Sequence, residues 1–258
     1  MQDCINNMYQ WSRKWAMEFN IAKCKVLHLG TRNAKYVYTM DSVPLMETDI
    51  EKDIGVHMHK SLKPSDHCAK AAGTARGVLY RILKCFHFRD KVTFLSLYKT
   101  YVRPHLEFAA PIWNPWLAKD INILEKVQQK FVKNVSGLTA IDYEGRLIEL
   151  KLLSLADRRL YLDLVEVYRI VYGLSTFERR DCFTLVSDMD RRPTRGTDCP
   201  LNIVLERSNL EVRRNFFTQR VANSWNGLPT DLKMSIHLKT FKASLKDHLL
   251  LSRSELTG

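Results

Sequence analysis

Basic side chains recur at helical spacing in a stretch that begins near residue 63. On a helical wheel Lys63, Lys70, Arg81 and Lys84 fall on one side, and small and aliphatic residues fall on the other. Positive charges spaced in this way could bind successive phosphate groups of a nucleic-acid backbone. A solvated helix face is the commoner role of such residues, so the pattern alone leaves both interpretations open.

A second group of cations contains Arg191, Arg192 and Arg195, and it is interrupted by Pro193 and Gly196. Proline and glycine at this density predict a surface loop, and the arginines could contact RNA from it. A plain linker would have a similar composition. The group lies within residues 175–209, which we expect to be the least ordered part of the chain.

The elements that would position these cations are mostly helices. Apolar residues recur at helical spacing over residues 3–19, 65–84, 90–108, 120–135, 143–150, 155–172, 211–225 and 238–250. Shorter alternating runs at 26–30, 36–40, 43–45 and 50–56 predict a small antiparallel sheet. The expected fold class is therefore α+β, mostly α.

The first helix should carry one apolar face. Ile5, Met8, Trp11, Trp15 and Phe19 recur at the spacing of a single helical stripe. We expect this face to pack against neighbouring elements.

Composition limits the classes of function. The chain has 258 residues, is 45% hydrophobic and has a formal net charge of +12, which favours a folded protein with polyanionic partners. None of its six cysteines forms a C-x-x-C pair, and no Cys/His group has zinc-finger spacing. No stretch approaches the roughly 20 apolar residues of a membrane span. We therefore expect an intracellular protein of the nucleus or cytoplasm, without a membrane partner.

Four short motifs occur in order along the chain. They are Phe19–Lys25 (FNIAKCK), Glu51–Val56 (EKDIGV), Leu97–Phe108 (LYKTYVRPHLEF) and Arg220–Pro229 (RVANSWNGLP). Together they resemble the end of the palm, and the regions after it, in the reverse transcriptases of non-LTR retrotransposons, the jockey-like LINE elements. The resemblance covers nearly the whole chain, and four ordered motifs make it more specific than any one of them alone.

The resemblance implies three regions. Residues 1–60 would be the end of the reverse-transcriptase palm with primer-grip-like strands. Residues 61–137 would be a helical thumb, and residues 138–258 a helical C-terminal region. The basic stripe would then belong to the thumb, which cradles the template and primer.

The resemblance also implies roles for two sites in the palm. Lys23 would lie beside the incoming nucleotide, where it could contact the triphosphate or protonate the departing pyrophosphate. Asp53, Ile54 and Gly55 would form the turn that presses against the primer terminus, where glycine permits close backbone approach. A solvated loop lysine and an ordinary strand glycine are the alternatives.

The metal-binding carboxylates of such a polymerase do not occur in this sequence. In the family a Y-x-D-D hairpin holds two metal ions for catalysis, whereas this chain has no Asp-Asp pair. The resemblance thus implies a C-terminal segment of an RNA-directed DNA polymerase that binds RNA template and DNA primer without catalysis.

In that interpretation the chain has no cofactor of its own, and Mg²⁺ belongs only to a full-length enzyme. Its other partners would be the N-terminal palm, the fingers and the endonuclease. The alternative is a non-enzymatic helical protein-interaction domain, either domesticated or a transposon relic.

Overall fold

The structure, a computed structural model, describes residues 1–30, 32–189 and 199–254. The cations predicted to contact RNA from a loop, Arg191, Arg192 and Arg195, lie outside these residues. The chain divides into two compact units, Met1–His67 and Cys68–Gly258. The division into palm, thumb and C-terminal regions stays a prediction.

The first unit begins with helix α1 (Gln2–Lys14) and continues through a 3-10 turn (Ile21–Lys23) into short strands. These are β1 (Lys25–Val26), β2 (Thr39–Met40), β3 (Val43–Pro44), β4 (Met46–Glu47), β5 (Ile50–Asp53) and β6 (Val56–His59). They form three separate pairs: β1 with β4 is parallel, and β2 with β3 and β5 with β6 are antiparallel. The single antiparallel sheet was thus an incomplete prediction, because alternation along a strand does not specify the direction of its neighbour.

Helix α1 is shorter than the periodic pattern indicated. It ends at Lys14 because Ala16 adopts a left-handed conformation, with φ of 53°. The Met17 N–H donates to the Ser12 carbonyl at 2.8 Å, and the Ala16 N–H donates to the Arg13 carbonyl at 3.2 Å. These two hydrogen bonds form a Schellman-type helix end, with alanine where glycine is more usual.

The apolar stripe of α1 was expected to be packed, and that expectation was wrong for three of its five residues, whereas Ile5 and Phe19 are half-buried. Trp11 is 53% exposed and Trp15 is 61% exposed, while Met8 is also exposed. The helix buries Ser12 instead, and its Gln2 side chain bonds to the backbone of Thr39. Short strands offer no broad face to such a stripe, so the unit keeps large apolar side chains in contact with solvent.

The second unit is mostly helical, which confirms the α+β, mostly α class for the described residues. Its helices are α2 (Ser65–Cys85, which begins three residues before the unit boundary), α3 (Lys91–Leu97), α4 (Arg103–Glu107), α5 (Ala110–Trp113), α6 (Ala118–Lys133), α7 (Tyr143–Glu149), α8 (Leu155–Val171), α9 (Arg179–Cys182), α10 (Glu211–Arg214), α11 (Phe217–Asn226), α12 (Thr230–Lys233) and α13 (Leu238–Ser254).

Helix α8 lies at the centre of this unit and contacts α5, α6, α11 and α13. Its inward residues include Leu164, Val167 and Tyr168, and they pack with Trp225 and Phe241 in one fully buried cluster. The Tyr168 and Phe241 rings stack with centroids 4.3 Å apart. Aromatic burial on this scale is a major source of stabilisation.

Pro104 alters the predicted helix of residues 90–108 without ending it. A π-helical segment (Tyr98–Val102) joins α3 to α4, and the helix continues to Glu107. Proline has no N–H to donate and clashes with the carbonyl one turn earlier. A wider turn immediately before Pro104 accommodates both effects.

Two later predictions were corrected in detail. The helix expected at 211–225 breaks at Asn215 and Phe216, and the freed Asn215 carbonyl accepts a hydrogen bond from Arg220 Nη1 at 3.1 Å. The segment 175–209 contains α9 and an antiparallel bridge between Leu185 and Ile203. Its described parts are therefore more ordered than the composition indicated.

Candidate nucleic-acid interface

Helix α2 presents three of the predicted cations on one exposed face. Lys70, Arg81 and Lys84 are exposed, while the opposite side buries residues such as Ala72 and Leu79. Their positions differ by 11 and 14 residues, which corresponds to three and four helical turns. The structure therefore brings these three side chains to a common surface.

The charge of this surface is not neutralised within the described part of the chain. Asp66 is the only acidic residue in the sequence of α2, and no carboxylate pairs with Lys70, Arg81 or Lys84 among the described ion pairs. The Lys84 ammonium lies 5.1 Å from the centroid of the Tyr80 ring. This cation–π contact orients the side chain without reducing its charge.

Lys63 does not belong to the α2 face. It is exposed and lies before Pro64, so it precedes the first helical residue, Ser65. Leu62 has φ of 57°, which turns the chain just before it. The helical wheel included Lys63 because wheel geometry takes no account of where the helix begins.

The predicted primer-grip residues lie together at the tip of the β5–β6 hairpin. Asp53 pairs with Val56, and the two residues between them have positive φ, 42° for Ile54 and 89° for Gly55. This matches the two-residue turn that best suits the twist of a hairpin. Gly55 adopts the conformation readily, whereas a β-branched residue such as Ile54 is strained there.

Ile54 is 88% exposed, so this strained side chain is presented to solvent. Strain of this kind costs about 1–3 kcal/mol and often marks a functional position. The hairpin tip is therefore a rigid apolar projection flanked by a carboxylate.

Lys23 lies on the 3-10 turn that leads into β1, and its side chain is exposed. The turn is held by the Lys23 N–H, which donates to the Asn20 carbonyl at 3.0 Å. Two residues further on, Lys25 forms an ion pair of 3.4 Å with Glu51 of β5. The exposed Lys23 side chain can thus contact a ligand. The Lys25–Glu51 ion pair holds the 3-10 turn that carries Lys23 against strand β5.

Several residues of the third motif have a structural role in this fold. The Tyr98 hydroxyl donates to Gln128 Oε1 at 2.6 Å in the buried core, and Val102 is fully buried. Glu107 accepts two hydrogen bonds of 2.8 Å from Arg158. Burial acts to lower the pKa of Arg158, but its bonds to Glu107 raise that pKa overall.

The fourth motif is also structural. Arg220 donates to both carboxylate oxygens of Asp163, at 3.0 and 2.9 Å, and Asp163 also accepts from Asn114 at 2.8 Å. Burial raises the pKa of Asp163, and the charge of Arg220 opposes that shift. Trp225 is fully buried, with its indole N–H bonded to the Leu201 carbonyl at 2.8 Å. These residues fasten α11 to α8 and to the preceding loop.

A cationic cleft of about 580 Å³ was not predicted from the sequence. It opens between the α3–π segment and the end of α7, and Lys91, Lys99 and Lys151 line it. Val92, Ser96 and Lys99 recur at helical spacing, which could have indicated one wall. The contribution of Lys151, more than 50 residues away, could not be inferred from local pattern.

The described residues contain no group of three His, Cys, Asp or Glu side chains that could hold a metal ion. Within those same residues, no helix is long and apolar enough to cross a membrane.

Comparison with known proteins gives one weak relative. The chain is 23% identical over 124 residues to an uncharacterized protein of Caenorhabditis elegans, and the match covers 47% of this chain and 63% of that protein. The chain therefore matches less than two thirds of that relative's length. No protein-family model matches the chain, and no solved structure matches it.

Proposed function

We propose that the chain is a palm-end, thumb and C-terminal segment of a non-LTR reverse transcriptase, and that it binds an RNA template with its DNA primer. The observation that carries the proposal is the ordered set of four motifs resembling that family. The absence of an Asp-Asp pair from the sequence limits the proposed role of this chain to binding.

The exposed face of α2 supports binding to a phosphate backbone. Lys70 and Lys84 are separated by 14 residues, which places their Cα atoms about 21 Å apart along the helix axis. Three unpaired cations over this distance can each neutralise a phosphate. Counterion release then predicts a slope of about −3 for the logarithm of affinity against that of salt concentration.

The first unit supports contact with the primer and nucleotide. The strained hairpin tip at Ile54 and Gly55 offers backbone and an apolar side chain to a primer terminus. Lys23 is exposed at the corner tied to that strand by the Lys25–Glu51 ion pair. In a full-length enzyme, which supplies the carboxylates and binds Mg²⁺, Lys23 would contact the triphosphate or donate a proton.

The test is binding of the purified chain to a fluorescently labelled primed RNA across a salt series. The variant carries Lys70→Glu, Arg81→Glu and Lys84→Glu together. We expect its affinity to fall sharply and its salt slope to decrease by about three.

A matched control carries Lys119→Glu, Lys126→Glu and Lys130→Glu, which change the net charge equally from exposed positions on α6. Equal loss in both variants would mean that net charge, rather than the α2 face, drives binding. Primer extension by the wild-type chain with Mg²⁺ would contradict the non-catalytic assignment.

A second candidate function is favoured by the exposed stripe of α1. Met8, Trp11 and Trp15 are three large apolar side chains of one helical stripe that are all exposed, and an exposed apolar surface is typical of a protein interface. The partner would be the upstream palm of the full-length enzyme, or a host protein if the chain is domesticated. A folded wild-type chain that binds no nucleic acid at any salt concentration would favour this function.

A further inference from the structure

The cleft between α3 and α7 has an excess of positive charge. Lys91, Lys99 and Lys151 line it together with one acid, Glu149. Lys91 forms a salt bridge with Glu149, which leaves Lys99 and Lys151 with no ion pair among the described residues. The walls therefore hold two lysines whose charge no ion pair of the described residues neutralises.

The surroundings of Lys99 increase this excess. Burial lowers the pKa of Lys99, and the nearby charges of Arg103, Lys246 and Arg158 lower it further. Arg103 and Arg158 share the single carboxylate of Glu107. Lys99 thus lies near three other cations, two of which share Glu107, so a bound anion would relieve their mutual repulsion.

Lys151 is held in an unusual backbone conformation at the rim. It follows α7 with φ of 49°, at a position where helices commonly place glycine. Hydrogen bonds from the Lys151 N–H to the Ile148 carbonyl, and from the Leu152 N–H to the Leu147 carbonyl, maintain this conformation. A lysine in this left-handed conformation is strained, and the strain lies at a residue that lines the cleft.

The remaining lining indicates which anion fits. Ser96 and Thr100 add hydroxyl donors beside the lysines, and no aromatic ring lies among the described residues that line the cleft. Lysines and hydroxyls bind phosphate oxygens, while stacking on bases requires aromatic or guanidinium planes. The cleft has a volume of about 580 Å³ and is open to solvent, which suits a phosphodiester backbone that runs through it.

We propose that this cleft is a second nucleic-acid site, in which Lys99 and Lys151 bind phosphates of the backbone independently of base sequence. The proposal rests on the proposed function, because it assumes that the chain binds nucleic acid. It adds a contact beyond the face of α2, and it gives a binding role to Lys99, which lies within the third motif.

The test compares two double variants of the full chain. The cleft variant carries Lys99→Glu and Lys151→Glu, and the control carries Lys119→Glu and Lys126→Glu, with the same change in net charge. With labelled primed RNA at low salt, we expect the cleft variant to lose about tenfold or more in affinity and about two units of salt slope. The control should stay near the wild type.

Thermal melts followed by circular dichroism verify that each variant is folded. If the two glutamates prevent folding, a double variant with Lys99→Gln and Lys151→Gln takes the place of the cleft variant. Wild-type binding with no difference between cleft and control variants would overturn the cleft site and leave the proposed function intact. Absence of wild-type binding would overturn both.

A deoxynucleoside triphosphate, titrated alone, distinguishes the two sources of phosphate. If the cleft variant loses triphosphate binding but keeps RNA binding, the site takes free nucleotides and the nucleic-acid assignment is wrong. Acylation footprinting gives an independent readout, and Lys99 is a good target for it because a lysine of lowered pKa reacts readily. We expect primed RNA to protect Lys99 and Lys151 from acylation, and unprotected lysines in the bound complex would contradict the proposal.

Discussion

The two compact units use their motifs in opposite ways. In the first unit, the motif residues Lys23 and Ile54 lie exposed on turns, and the helix stripe with Trp11 meets solvent. In the second unit, the motif residues Tyr98 and Trp225 are fully buried and hydrogen-bonded. The motif residues Lys23 and Ile54 of the first unit are thus exposed to solvent, whereas Tyr98 and Trp225 of the second unit belong to its core.

This difference teaches that a motif match need not indicate a binding residue. In the second unit, the candidate cations on the exposed face of α2 and Lys151 of the cleft lie outside the motifs, whereas Lys99 of the cleft lies within the third motif. Mutations can test the comparison, because burial predicts large effects in one unit and small ones in the other.

The largest expected difference in stability between the two units comes from replacing a tryptophan. Trp225→Ala removes a fully buried ring and the hydrogen bond to Leu201, which should cost about 3–5 kcal/mol. Trp11→Ala removes an exposed ring and should change stability by less than about 0.5 kcal/mol. Chemical denaturation measures both, and a comparable loss for Trp11→Ala would mean that its stripe is covered in solution.

The next effect concerns ion pairs. Asp163→Asn breaks a buried pair and leaves Arg220 without its counter-charge, which should destabilise the protein by about 3 kcal/mol. Glu51→Gln breaks the more exposed pair with Lys25 and should cost less than about 1 kcal/mol. Urea midpoints measure the two losses, and a small effect of Asp163→Asn would show that the Asn114 and Arg220 contacts persist with a neutral amide.

The third effect is a pH dependence at His67. Burial, with a smaller contribution from His57, lowers the pKa of His67 from 6.5 to about 4. Between these values the unfolded chain binds a proton that the folded chain does not, so stability should decrease as pH falls from 6.5 to about 4. Melting temperatures across this range should fall more for the wild type than for His67→Gln.

Asp188, in the second unit, should affect stability in a lower pH range than His67. Its hydrogen bonds from Arg179 lower its pKa from 3.8 to about 2, so its contribution is present above pH 4 and is lost only towards pH 2. An Asp188→Asn variant should therefore leave the change between pH 6.5 and 4 intact. If it abolished that change, the assignment to His67 would be wrong.

The smallest effect is at the hairpin tip. Asn tolerates the left-handed conformation better than a β-branched residue, so Ile54→Asn should stabilise the hairpin by about 1 kcal/mol. Gly55→Ala should destabilise it, since φ there is 89°. If the tip contacts primer, Ile54→Asn should weaken the binding of primed RNA while it raises stability. Unchanged affinity would mean that the strained Ile54 has no role in binding.

Helical spacing predicted most helices of the second unit well. Ala72, Ala75 and Leu79 were expected on the inner face of α2 and are buried. Spacing failed at the end of α1, which Ala16 ends early, and it gave no indication of the π segment that precedes Pro104. A periodic stripe also cannot indicate whether anything covers it, as Trp11 and Trp15 demonstrate.

The sequence predicted only those parts of the candidate site whose residues lie within one segment of the chain. The hairpin turn lies within a contiguous motif, and the α2 cations follow one helical pattern. Lys99 and Lys151 come together through tertiary packing, as do Asp163 and Arg220, which are 57 residues apart. No periodicity within one element specifies such pairs.

Asn226 has a consequence for solubility. Its side-chain amide accepts from the Ile203 N–H and donates to the Ile203 carbonyl, both at 2.8 Å, while Leu185 bridges to the other side of Ile203. In the first unit, the side-chain amide of Gln2 likewise accepts from the Thr39 N–H and donates to the Thr39 carbonyl. Each amide pairs with the backbone N–H and carbonyl of one residue in a short extended segment, so those two groups are not available to pair with a strand of another chain.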